Sequence, residues 1–154
     1  MSNLLFNLVH KLKKAYWKIV KPQTLGVRAI ILDESKEKVL LVRHTYIKGL
    51  YLPGGGVKKF ETPESAIMRE LKEEIGFIVK SCELFGVYSN YSEFKSDTVI
   101  VLICTGNMMG NTVSKEIQSF GFFDVFDLPD DVSPGTRRRI DEYLSGGLSV
   151  ITKW

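Results

Sequence analysis

Between Gly54 and Phe77 the chain carries a triple glycine, a helix-start signal, a run of glutamates and a helix-stop glycine in close succession. Thr62 followed by Pro63 pairs a hydroxyl N-cap with a proline at the first helical position, where its missing N–H costs nothing. Gly76 suits the left-handed residue that ends many helices. The spacing therefore predicts a helix of roughly three to four turns between them. Ile67, Met68, Leu71 and Ile75 gather on one side of it, to face a core. Glu70, Glu73 and Glu74 stand at i, i+3 and i+4 and share a neighbouring face, within which the small side chain of Ala66 leaves room. Like charges at this spacing cost an isolated helix roughly 0.2–0.5 kcal/mol per pair. Arg69, placed i,i+4 to Glu73, holds one carboxylate and cannot neutralise three. A solvated acidic face is the bland reading of such a helix. Joined to Glu61, Arg69 and the Gly54-Gly55-Gly56 turn, the pattern reads instead as a cation site. Carboxylate oxygens favour a hard ion, Mg²⁺ or Mn²⁺.

Gly55, five residues, Glu61, seven residues, then Arg69-Glu70-Leu71-x-Glu73-Glu74-x-Gly76-Phe77 resembles the Nudix box of the MutT-like pyrophosphohydrolases at every defined position. The resemblance covers residues 25–144. It implies an α/β fold, an α/β/α sandwich with a mixed β-sheet, and an enzyme that hydrolyses the pyrophosphate bond of a nucleoside diphosphate linked to another moiety. By position in the box, Glu70, Glu73 and Glu74 correspond to the family's metal-binding glutamates, with Glu70 alternatively the base for water. Glu61 binds through water or stabilises the site, Arg69 orients a carboxylate, and the backbone carbonyl of Gly54 completes the coordination. Many members add a carboxylate from a later loop. Glu116, ahead of Gly121-Phe122-Phe123, is the candidate for general base or extra ligand, and Glu93 is the fallback.

Arg28 and Arg43 fall on strands that border the substrate cleft in such a fold. Each serves equally well as a phosphate partner or a structural ion pair. His44 has no metal-ligand companion in the sequence and reads as a hydrogen-bonded strand residue. Tyr51, Tyr88, Tyr91 and Phe94 offer rings to a nucleobase, although strand aromatics are more often core. The substrate-binding expectation rests on Arg28, Arg43 and Tyr51. Submotifs of the ADP-ribose, dinucleoside polyphosphate, coenzyme A and NADH branches are absent, so the substrate stays a nucleotide or nucleotide sugar. Two alternatives remain: a non-catalytic nucleotide sensor, against which every charged position of the box stands intact, and an RNA 5′-end pyrophosphohydrolase.

A chain of 154 residues, 44% hydrophobic and 25% charged, fits one soluble domain of ordinary composition, expected in the cytoplasm. No apolar run approaches the roughly 20 residues that span a bilayer. Cys82 and Cys104 lie in apolar, strand-like segments and read as buried free thiols. The net charge of +3 is too small to announce a nucleic-acid partner. Residues 1–22 hold Lys11, Lys13, Lys14, Lys18 and Lys21 with no acid, so that segment carries +5 and the rest of the chain −2.

Residues 1–22 therefore form an extension separate from a domain at 23–154. From Asn3 to Val20 the pattern is that of an amphipathic helix, with Leu5, Val9, Leu12, Tyr16, Ile19 and Val20 opposite the lysines. It packs on its own domain or in a homodimer, lies on an anionic membrane surface, or is a loosely ordered extension. Beyond Pro22, Leu25–Leu32 and Lys38–Thr45 read as strands of a hairpin. Strand-like runs follow at 78–91, 97–106 and near Gly121–Val125. Ser133 or Thr136 caps a last helix through Leu144, with Ile140, Tyr143 and Leu144 facing inward.

Overall fold

The computed structural model describes residues 23–92, 95–110, 113–147 and 150–154, together with Leu12, Ala15, Tyr16, Ile19 and Val20. Most of the expected N-terminal helix lies outside the described residues, as does Glu93. The five positions described there are helical and exposed. The remaining elements run in the order β1 (Gln23–Ile30), β2 (Lys38–His44), α1 (Pro63–Ile75), β3 (Phe77–Ser92), β4 (Lys95–Met108), β5 (Ile117–Asp124), α2 (Pro134–Leu144) and β6 (Val150–Lys153). Among the described residues no helix is long and apolar enough to cross a membrane.

The strands form a four-stranded mixed sheet in the order β1-β4-β3-β6 and a two-stranded antiparallel pair, β2-β5. β1 runs parallel to β4 and β6 parallel to β3, while β3 and β4 form a long antiparallel ribbon. Alternation sorts the side chains into two cores. Val27, Ala29, Leu40 and Val42 pack towards Ile67, Leu71 and Ile75 of α1. Ile30, Val39 and Leu41 pack on the other side with Phe85, Val101 and Ile140 of α2. A strand buried on both faces reads as an unbroken apolar run, which is the Val39-Leu40-Leu41-Val42 seen in β2. The architecture is the expected α/β/α sandwich.

The expected hairpin is not the pairing adopted. Only a bridge at Leu32 and Val39 joins the two runs, after which β1 goes to β4 and β2 to β5. The reason is that the free edge of β1 is taken by the glycine turn. Val27 N–H donates to Gly55 O and Ala29 N–H to Pro53 O, both at 2.9 Å. Val57 N–H returns to Leu25 O, also at 2.9 Å. This clamp seats the start of the box against β1.

Both helices carry the expected caps. The Thr62 hydroxyl accepts from Ser65 N–H at 3.1 Å, and Gly76 closes α1 in the left-handed region at φ 65°. The inward face of α1 differs by one residue: Ala66 is fully buried and Met68 is 45% exposed. Ala66 therefore fills the core beneath the acidic side of the helix instead of leaving space there. In α2, Ser133 is the cap and Ile140 is buried as expected, whereas Leu144 is exposed. Arg139 is buried in the same helix, its guanidinium 3.9 Å above the Tyr88 ring and paired with Glu142 at 2.7 Å. Cys82 and Cys104 face each other across β3 and β4 as free thiols, Sγ to Sγ 3.6 Å.

Candidate active site

A cavity of about 410 Å³ opens where the glycine turn, α1, β1, β4 and the segment before β5 meet. Glu70, Glu74 and Glu116 line it together with Arg28, Tyr46 and the three glycines, and Thr24, Leu25, Asp97 and Val99 complete the lining. Helical spacing puts Glu70 and Glu74 one turn apart. Ser114 N–H donates to Glu74 O at 3.1 Å, which ties the segment carrying Glu116 to the end of α1.

Glu74 is the most constrained of the three. It is 6% exposed, and its Oε2 accepts from Gly54 N–H at 3.0 Å. Burial pushes its carboxyl up to about 7, against the pull of Gly54 N–H and Arg28. Arg28 Nη1 donates to Gly54 O at 2.7 Å and to Leu52 O at 3.2 Å. Desolvation lowers its pKa, while Glu74 supplies the largest opposing influence. The Gly54 carbonyl, expected at a cation, is thus engaged by a guanidinium.

Arg69 does more than the sequence suggests. Its Nε and Nη2 hold Glu61 at 2.8 and 2.9 Å, its Nη1 holds Glu70 at 2.6 Å, and Glu73 stands 3.5 Å away. One planar fork thus reaches all three of these carboxylates. Together with a bond from Lys58 N–H, it holds the Glu61 carboxyl down at about 2. Glu73 is the outlying member, 58% exposed and outside the cavity wall. Arg43 and Tyr51, the other expected substrate contacts, are not brought to this cavity. Arg43 pairs with Asp131 at 2.6 Å, and the Tyr51 hydroxyl donates to Lys48 O at 2.8 Å.

Among the described residues no three histidine, cysteine or acidic side chains stand close enough to hold a metal ion as placed. The expected cluster of Glu70, Glu73 and Glu74 is therefore not closed. Glu70 turns to Arg69, Glu73 lies outward, and Glu74 turns to Gly54. The donor chemistry nevertheless fits a hard divalent ion, because three carboxylates line one cavity. The cradle fits as well: a Cβ at Gly55 would stand 2.5 Å from the Glu70 carboxyl carbon, so only glycine leaves that carboxylate its place.

Tyr46, Thr24 and Asp97 were not foreseen. Thr24 Oγ1 donates to Asp97 Oδ1 across the β1–β4 pairing, a contact that joins residues 73 positions apart. Tyr46 sits in a loop whose local sequence resembles any polar connection.

The family model described as NUDIX domain matches residues 22–143. The chain belongs to the Nudix family. Its Nudix box is the turn and helix that form one wall of the acidic cavity. An ADP-ribose pyrophosphatase of Methanocaldococcus jannaschii is 36% identical over 101 residues, 62% of this chain and 60% of the relative's length. An 8-oxo-dGTP diphosphatase of Buchnera aphidicola is 46% identical over 52 residues, 33% of this chain and 42% of the relative. The MutT protein of Methanosarcina mazei superposes with a TM-score of 0.72 at 20% identity, covering 81% of this chain and 95% of that one, which shows the shared Nudix fold.

Proposed function

We propose that this Nudix protein is a divalent-metal-dependent pyrophosphohydrolase that splits a nucleoside diphosphate linked to another moiety. One observation carries the reading: Glu70, Glu74 and Glu116 line one cavity with Arg28, and Glu74 is buried there with its carboxyl near neutrality. A buried carboxyl titrating near pH 7 is costly to ionise without a cation, and hence suited to receive one. Glu70 and Glu74 would hold Mg²⁺ or Mn²⁺ from the cavity wall, joined by Glu73 from the rim. When bound, such an ion supplies an acidified water and draws charge from the phosphoryl oxygens.

The chain's own groups do the rest. Arg28 turns a buried positive charge towards the diphosphate and offsets its repulsion of an approaching nucleophile. Glu116, from the segment ahead of β5, lines the same cavity and is the candidate to take the proton of the attacking water. Arg69 is a positioning residue, fixing Glu61 and Glu70 through its fork. Leu25 and Val99, in the lining of the same cavity, give the nucleoside an apolar resting place. The archaeal relative's name, ADP-ribose pyrophosphatase, lies within this substrate class.

The test is a screen of nucleoside diphosphate derivatives with Mg²⁺ and Mn²⁺, reading released nucleoside monophosphate. Turnover that requires the metal and falls by orders of magnitude in Glu74→Gln is the expected result. Metal-independent turnover, or an unaffected variant, removes the reading.

A further inference from the structure

The chain has two cysteines, and the fold sets them opposite one another. Cys82 of β3 and Cys104 of β4, 22 positions apart in sequence, are direct register partners in the antiparallel ribbon, with their sulfurs 3.6 Å apart. Both belong to the core on the α1 side of the sheet, where Cys104 is 2% exposed and Cys82, partly exposed, packs against it. Packing alone gives no reason for the pairing. A buried thiol serves a core as a small apolar group and needs no second one beside it.

The ladder around the pair can yield. Directly opposed residues of antiparallel strands hold their Cβ atoms about 4.5–5.5 Å apart, whereas a disulfide draws them to about 3.5–4.5 Å and its sulfurs to about 2.05 Å. The register skips Lys80 between Val79 and Ser81, and Phe85 between Leu84 and Gly86, so a bulge lies on each side of Cys82. Bulges bend the strand that carries them and raise its local twist, which gives β3 the freedom to close that gap. Next to the pair, the hydroxyls of Ser81 and Thr105 are bonded at 2.6 Å and hold the register meanwhile. The two thiols differ in role. Cys104 S–H donates to the Cys82 sulfur, and the partly exposed Cys82 is the one that an oxidant reaches. Burial raises the pKa of the Cys82 thiol, and this donated bond pulls it back.

We propose that Cys82 and Cys104 form a reversible dithiol–disulfide site, oxidised by hydrogen peroxide, that cross-links β3 to β4 within one chain. The Cys82 sulfur attacks one peroxide oxygen and the O–O bond breaks, giving a sulfenic acid on Cys82 and one molecule of water. The Cys104 sulfur then displaces the hydroxyl from Cys82. That hydroxyl leaves with the Cys104 thiol proton as a second water. Two electrons have passed from the sulfurs to the peroxide, and a small dithiol returns them by exchange. Neither sulfur lines the acidic cavity, so this site is independent of the hydrolytic one.

The full chain, treated with hydrogen peroxide, would be followed by intact mass, by thiol alkylation after denaturation, and by thermal melts. The expected product is a single chain lighter by two hydrogens with no thiol left to alkylate, and dithiothreitol should restore both thiols. The oxidised chain should melt about 5–10 °C higher, because the bond closes a loop of roughly 20 residues in the unfolded state. In Cys104→Ser no resolving thiol remains, so dimedone should trap the sulfenic acid on Cys82. Cys82→Ser should stay inert under the same treatment. Four results overturn the pairing: thiols that persist in the folded wild type, a sulfinic acid on Cys82 beside free Cys104, a disulfide between two chains, or an oxidised form that melts below the reduced one. All four are read on the wild type, so a serine variant that fails to fold leaves the test standing.

Discussion

The buried carboxylate of Glu74 accepts a hydrogen bond from the backbone N–H of Gly54 at 3.0 Å, joining the last turn of the box helix to the glycine turn clamped on β1. This contact makes the electrostatics of the cavity a matter of fold stability as well as chemistry. The Glu74 carboxyl sits at about 7 instead of the ordinary 4.5, because burial disfavours its charge. Raised in the folded state, it contributes stability that is complete below pH 4.5 and is lost as pH climbs through about 7. The metal-free protein should therefore lose on the order of 3 kcal/mol between pH 5 and 8 from this group. Urea melts in EDTA across that range would measure the loss, and Glu74→Gln should flatten it. A wild type as pH-insensitive as the variant contradicts the assignment. Divalent-ion affinity should rise over the same window, since the ion competes with the proton.

The three glycines of the turn make different demands, and alanine replacements should separate them. Gly54 has φ 134°, and an added Cβ would stand 2.3 Å from Val27 O, so both conformation and space forbid a side chain. Gly54→Ala should destabilise the protein by about 3 kcal/mol or more. At Gly55 the nearest atoms to the added carbon are those of the Glu70 carboxyl, at 2.5 Å, the end of a flexible side chain, so the variant should fold but displace that carboxylate. Gly56 has nothing within 4 Å, and its replacement should be nearly silent. Thermal melts alongside turnover would sort the series. Equal behaviour at all three positions would mean that the turn is not the cradle described.

Arg69 should tolerate no substitute. Lysine keeps the charge but cannot span Glu61, Glu70 and Glu73 with one planar fork. Arg69→Lys is expected to lower kcat by about 10–100-fold, with a weaker dependence of rate on metal identity lost only when Glu70 is also removed. A double-mutant cycle between Arg69 and Glu70 would measure the coupling. Additive losses would show that Arg69 acts elsewhere.

The parts legible in the sequence were those written locally. Thr62-Pro63, Gly76 and Ser133-Pro134 each satisfy or terminate their own helix, so both helices lie where the spacing places them. The carboxylates of the box follow from helical periodicity. Strand pairing is a long-range choice, and nothing near Asp33 announces that β1 and β2 will part, because their partners lie 73 to 86 residues later. The cavity suffers the same limit. Thr24 and Asp97 meet only through the β1–β4 register, and Tyr46 reaches the carboxylates only because its loop folds over them. Arg43 looks like Arg28 in sequence, an arginine among apolar strand residues. What separates them is Asp131, which claims one and not the other. The short strand β6 follows two glycines and carries four residues, too little pattern to read.

Arg139 is a stability prediction with no active-site component, since it does not line the acidic cavity. It is 1% exposed, lies between the rings of Tyr88 at 3.9 Å and Trp154 at 5.3 Å, and pairs with Glu142 at 2.7 Å. Tyr88 donates to the same carboxylate at 2.9 Å, and Trp154 N–H bonds to Ser89 O, so one buried cation gathers α2, β3 and the chain's last residue. Removing it strands the carboxylate of Glu142 beside two aromatic rings and opens a cavity. Arg139→Ala should cost about 3–5 kcal/mol. Arg139→Met fills most of the volume without the charge and should cost less, because a buried ion pair spends much of its attraction on its own desolvation. Urea denaturation of both variants, with turnover measured on the folded fraction, checks the argument. Indistinguishable stability for alanine and methionine would mean that packing around the arginine stem contributes nothing, while a turnover defect in folded Arg139→Met would tie this cluster to the active site after all.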